Sequence, residues 1–138
     1  MKILLFLFIS CFNLTAFGQN SAEELRGGNG EGRNWWNLEH YDLSVNFDIA
    51  NKQISGKNSI TFRTTKEVVN PIFQLDLQQP MILDSIVIIE REIAIKQIVP
   101  TEFRSQNAYL IPLNIGTLQA ESEYRIHAYF HGSPRVAK

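Results

Sequence analysis

His40-Tyr41-Asp42-Leu43-Ser44-Val45-Asn46-Phe47-Asp48-Ile49 alternates polar and apolar residues without a slip. Tyr41, Leu43, Val45, Phe47 and Ile49 fall on one side of an extended chain, with Asp42, Ser44, Asn46 and Asp48 on the other. A helix, with about 3.6 residues per turn, would mix the two sets. The period of two therefore specifies a strand with one face turned to a core. Ala50-Asn51-Lys52 supplies a turn. The pattern then resumes with Ile54, Ile60 and Phe62 inward and Ser59, Thr61 and Arg63 outward. These two runs predict a long antiparallel hairpin, residues 41–49 with 54–62, with Phe47 and Phe62 in the core. Gly56 inside the second run predicts a bulge or a close backbone approach.

The same period continues downstream. Asn70-Pro71 punctuates the chain, and Phe73, Leu75 and Leu77 alternate with Gln74 and Asp76 as a third strand that Gln79-Pro80 ends. Residues 82–89 form a nearly continuous apolar run, broken by Asp84 and Ser85, which reads as a strand buried on both faces. Ile93 and Ile95 continue that pattern as far as Pro100. Tyr109, Ile111 and Leu113 form another strand. In the last, Tyr124, Ile126, Ala128 and Phe130 oppose Arg125, His127, Tyr129 and His131 before Gly132-Ser133-Pro134 closes it. No stretch carries a helical stripe. Residues 35–138 are expected to form one all-β domain of six or seven strands, an antiparallel β-sandwich or saddle-like sheet.

Upstream, Lys2 precedes the apolar residues 3–12, and Ala16-Phe17-Gly18 gives the small-x-small tail of an export signal, residues 1–18, cleaved before Gln19. The apolar stretch is shorter than the roughly 20 residues a membrane span needs. The protein is therefore expected in the periplasm or secreted, with no transmembrane segment. Cys11 is the only cysteine and lies in that signal, where its predecessors Phe8-Ile9-Ser10 fit a lipidation site poorly. The exported chain is left without disulfide, thiol nucleophile or Cys-ligated metal. Residues 19–34 read as a flexible glycine-rich leader. Its glycines lack the Gly-Lys-Ser/Thr of a phosphate loop and the preceding strand of a dinucleotide site. With 13 Lys+Arg against 14 Asp+Glu, the net charge of −1 argues against a nucleic-acid partner.

The residues that could carry chemistry are few. His127 and His131 have the His-x-x-x-His spacing of a zinc-peptidase helix, but Ala128 stands at the general-base position and the context reads as strand. On a strand, residues four apart stand about 13 Å from one another, too far to share one metal ion. His40 is expected on the outer face of the first strand, where Glu39 points away from it. Asp42 and Asp48 share a face without evident partners. No serine lies in a Gly-x-Ser-x-Gly elbow. Trp35-Trp36 can pack, one buried and the other over an edge, or can contact a glycan or protein.

The stretch Asn34-Trp35-Trp36-Asn37-Leu38-Glu39-His40-Tyr41-Asp42-Leu43, continued to Ile49, and then Lys52-Gln53-Ile54-Ser55-Gly56-Lys57-Asn58-Ser59-Ile60-Thr61-Phe62, resembles the opening hairpin of the aminopeptidase N family of gluzincin zinc aminopeptidases. Leu75-Asp76-Leu77 with Leu83-Asp84-Ser85-Ile86-Val87 is similar to the family's next strand pair. Tyr124 to Gly132 is similar to the strand it ends in Tyr/Phe-x-Gly. The resemblance covers about Asn34 to Lys138. It implies an amino-terminal, saddle-shaped β domain, partial at its C-terminal end. In the family this domain precedes a thermolysin-like catalytic domain and helps wall the peptide cleft. The family's zinc is held by His-Glu-x-x-His and a downstream Glu, none of them in this chain. The resemblance accordingly places no catalytic, cofactor-binding or metal residue here. Zinc, the peptide substrate and the missing catalytic domain as partner belong to the parent protein. The alternative is a free-standing exported β-sandwich module that binds a protein or glycan, with Trp35 and Trp36 as its contacts.

Overall fold

A computed structural model describes residues 27–90 and 92–135. The export signal and the first part of the expected leader lie outside the described residues. Within them the chain is all-β and antiparallel, a sandwich-like fold in which the only helical element is a single 3-10 turn at Thr101–Phe103. No helix of the described residues is long and apolar enough to cross a membrane.

The large sheet has five strands in the order β1-β2-β10-β5-β6. These are β1 (Trp36–Asp48), β2 (Gln53–Thr64), β5 (Ile82–Glu90), β6 (Ile93–Ile98) and β10 (Glu123–Gly132). A three-stranded sheet, β4 (Ile72–Asp76), β8 (Ala108–Pro112) and β7 (Arg104–Ser105), forms a second layer. A short pair, β3 (Val68–Val69) with β9 (Thr117–Leu118), completes the strands. The core joins Ile60, Phe62, Leu83, Ile86, Ile88, Tyr124 and Ile126 of the large sheet to Phe73, Tyr109, Ile111 and Leu118 of the smaller ones. Gln97 ties the layers at one side, its amide nitrogen donating to Pro112 O and its oxygen accepting from Asn114 N–H.

The predicted hairpin is present and longer than expected, with Tyr41 opposite Ile60 and Phe47 opposite Ile54. At its turn Lys52 adopts a left-handed φ of 52° and donates its backbone N–H to Ile49 O. The side-chain amide of Asn51, then its backbone N–H, bond the Asp48 carboxylate and hold it below the usual carboxylate range. Gly56 answers the close-approach reading. A Cβ there would sit 2.4 Å from Ser44 O and 2.7 Å from Phe130 Cζ, so only hydrogen fits.

Two bulges decide which residues face inward. One inserts Glu39 into β1, so Leu38 opposes Phe62 while His40 opposes Thr61. Even-numbered Trp36 and Leu38 thereby join odd-numbered Tyr41 and Leu43 on one face. The second lies where Tyr129 opposes Ser85 but Phe130 opposes Leu83, with Asp84 as the extra residue. It puts Leu83 on the same face as Ile86 and Ile88. This corrects the reading of residues 82–89 as buried on both faces: Leu83, Ile86 and Ile88 are buried, whereas Val87 and Ile89 are half-buried on the uncovered side. The parity change at Asp84 brings Leu83 to the inner face, and residues 86–89 read as continuous because apolar side chains also occupy the outer face there. Ile93 and Ile95 belong to a separate returning strand, with Ile88 opposite Ile95.

Two further expectations need correction. Phe62 is fully buried, but Phe47 is 70% exposed and is no core residue. The smaller sheets cover the inner face only near the base of the hairpin, so its far end projects past them. The leader, expected to run to Asn34, is tied to the domain before that point. Gly32 O accepts from Gln74 N–H and Trp36 Nε1, and Arg33 pairs with Asp76.

Candidate functional site

The tandem tryptophans divide as the packing reading requires. Trp35 is buried, with its Nε1 donating to Ile72 O. Trp36 is half-buried and stacks on Phe73 at 4.6 Å between ring centroids. Its outer surface helps form the wall of a cleft of about 360 Å³ between β1–β2 and β4. That volume is at the lower end of the range of small-ligand sites, about 300–1,000 Å³.

Tyr41 and Ile60 supply further apolar wall, and Arg33, Asp76 and Asn58 supply polar groups. Each arrives by a different route. Tyr41 and Asn58 face inward by strand alternation. Arg33 is carried by the turn before β1, and Asp76 ends β4. The Arg33–Asp76 pair is partly exposed at the mouth, so solvent screening makes it worth little to stability. It sets an anion and a cation side by side. Asn58 Oδ1 is buried and accepts no hydrogen bond from the described residues. An aromatic wall with a carboxylate, a guanidinium and a carboxamide can hold a ligand that has an apolar face and hydroxyl or amide edges. Of these residues only Trp36 was singled out in the sequence as a possible ligand contact, and Tyr41 and Ile60 were legible only as inward-facing strand residues. Arg33, Asn58 and Asp76 are far apart along the chain, and nothing in the local pattern announces their meeting.

The outer face gathers the histidines. His40, Asp42, Lys57, Ser59, Arg125 and His127 line a shallow groove of about 270 Å³. His127 Nδ1 lies 2.8 Å from Ser59 Oγ, its direct cross-strand neighbour. This resembles a nucleophile–base pair in distance alone. Both residues sit in central strands whose backbone N–H groups are spent on their neighbours, which leaves none of that ladder for an oxyanion hole. His131 pairs instead with Asp84, 2.7 Å away. His127 and His131 thus lie on one strand with separate partners, and the spacing of a zinc helix is not realised. Among the described residues no group of three His, Cys, Asp or Glu could hold a metal ion.

Burial, with Lys57 and Arg125 nearby, holds the His127 imidazole below its ordinary range, and Asp42 opposes this weakly. In the unfolded chain the ring titrates at about 6.5. The folded chain binds that proton less readily. Its contribution to stability is therefore full above the unfolded value and is lost as the pH falls through the window below it. Acidification from about pH 7 to 5 should destabilise the wild type more than His127→Gln in denaturant titrations. Identical pH slopes would remove His127 as a contributor.

The chain matches no family model and no curated protein sequence.

Proposed function

We propose that this chain is the noncatalytic amino-terminal β domain of an exported zinc aminopeptidase of the aminopeptidase N type, whose family removes N-terminal amino acids from peptides. The observation that carries this reading is the row Tyr41, Leu43 and Phe47 on the inner face of β1, continued by Ile49 in the turn after it. Each of these side chains is more than half exposed. Apolar residues contiguous on one face suit packing against a further body of protein. The resemblance supplies that body as a catalytic domain. The parent's zinc would sit there, because the described residues of this chain do not fit a catalytic set of three ligands and an open position.

The direct test is the reading frame beyond Lys138. A His-Glu-x-x-His motif with a downstream Glu supports the proposal, and a long continuation without one sinks it. The same reading predicts that this chain alone, freed of metal, neither takes up zinc at submicromolar concentration nor cleaves an alanyl or leucyl reporter. Stoichiometric zinc lost in the His127→Ala, His131→Ala double variant would refute it.

The cleft at Trp36 favours a second reading, an exported binding module for a glycan or protein. Saturable binding of a saccharide or peptide by the isolated chain, lost in Trp36→Ala, would select it.

A further inference from the structure

The free edge of β1 carries an inference that goes beyond the aminopeptidase-domain reading and does not rest on it. β1 ends the large sheet, and no other described strand pairs with its outer side. Ser44 O lies against Gly56 on β2, so Ser44 turns its backbone polar groups inward to the sheet. Alternation then turns the N–H and C=O groups of Tyr41, Leu43, Val45 and Phe47 to the open edge. Natural edges are commonly blunted by lysine, proline, shortness or a bulge. The opposite edge, β6, is only 6 residues long and carries Lys96. Residues 40–48 of β1 contain no Lys, Arg or Pro, and its bulge lies just outside them at Glu39.

We propose that two copies of this chain join through β1, antiparallel, about a two-fold axis at Ser44. The regular segment is bounded by the Glu39 bulge and the turn after Asp48, and Ser44 is its midpoint. Pairing about Ser44 therefore uses all of that segment. It sets His40 opposite Asp48, Asp42 opposite Asn46 and Ser44 opposite its own copy on the outer face. On the inner face it sets Tyr41 opposite Phe47 and Leu43 opposite Val45.

The neighbouring registers are worse. A shift of the axis by half a residue would set apolar side chains against polar ones. An axis at Val45 would oppose Asp42 to Asp48, two like charges. An axis at Leu43 would set Asp48 opposite Leu38, beyond the bulge, and bring Phe47 against Glu39 at the bulge itself. With the axis at Ser44, the pairs Tyr41–Phe47 and Leu43–Val45 face each other through their free backbone groups, and each exchanges two hydrogen bonds. Both five-stranded sheets become one. The exposed apolar rows of the two copies then lie side by side, and each covers part of the other.

The test uses the full chain with Cys11→Ser, so that an introduced thiol is the only one. Sedimentation should show a concentration-dependent dimer. Ser44→Cys should give a disulfide-linked dimer on mild oxidation, because facing Cα atoms in a pair without direct backbone bonds stand about 4.5 Å apart. Asp42→Cys or Asn46→Cys alone should link poorly, since each meets its own copy about 13 Å away. A mixture of the two should link as a mixed dimer. Ser44→Lys sets like charges at the axis and should weaken association at least about tenfold. A monomer at the highest attainable concentration overturns the proposal. So does Asn46→Cys linking as readily as Ser44→Cys, or Ser44→Lys associating like the wild type.

Discussion

Phe62→Ala is expected to lower the stability of the folded chain by about 3–5 kcal/mol, while Phe47→Ala changes it by less than about 0.5 kcal/mol. Sequence position makes the two residues look alike, as both are apolar members of the same alternating hairpin. Their surroundings do not. Phe62 is fully buried with four aromatic neighbours: Trp35, Trp36, Phe73 and Tyr124, at centroid distances of 5.4 to 5.9 Å. Removing its ring opens a cavity between two sheets, which rigid strands cannot close. Phe47 lies beyond the second layer and loses little contact on truncation. The comparison is to be made at a concentration where the chain is monomeric, by denaturant unfolding followed through tryptophan fluorescence. Equal losses for the two variants would mean that the far end of the hairpin is covered after all.

Arg104→Ala should cost about 2–3 kcal/mol, because charge-assisted hydrogen bonds are worth more than neutral ones and their loss strands two part-buried carbonyls. The Arg104 guanidinium donates to Leu77 O and Met81 O, both at 2.6 Å. It also donates to Gln106 O at 3.0 Å and to Tyr109 Oη at 3.1 Å, and it lies over the Tyr109 ring. The Tyr109 hydroxyl in turn accepts the N–H of Leu83. One side chain therefore ties the connection between β4 and β5 to the smaller sheet, and through Tyr109 to the large one. Arg104→Lys should recover less than half of the loss. A single ammonium cannot span two carbonyls and a ring as the planar fork does. Unfolding midpoints of the three proteins measure this, and a wild-type midpoint for Arg104→Ala would dismiss the clamp.

Neither prediction could be framed from the sequence with the same force. Arg104 lies in a stretch without a period, beside a two-residue strand, and gave no signal. The two-residue strands β3, β7 and β9 were also illegible, because alternation needs more residues than they contain. The candidate cleft was legible only in its apolar wall, Trp36, Tyr41 and Ile60. Its charged pair joins residues 43 positions apart, and such a meeting depends on how the layers close.

The sequence by itself determined the class of the fold, the hairpin and its turn, the glycine at its point of closest approach and the inward set of β10. All of these follow from local chemistry, since the strand period of two, left-handed turn positions and the bulk of a missing Cβ act over a few residues. The tertiary structure alone decided which apolar faces are covered. Tyr41, Leu43, Phe47 and Ile49 carry the same inward pattern as Tyr124, Ile126 and Ala128, yet the first set is open and the second buried. Alternation states that a face can be buried. Whether it is buried depends on a second layer built from residues far along the chain, and that layer reaches β2, β10 and β5 but leaves most of β1 past Trp36 open. The bulges at Glu39 and Asp84 belong with that layer, because each changes the parity of its strand to aim side chains at a core that only the assembled sheets create.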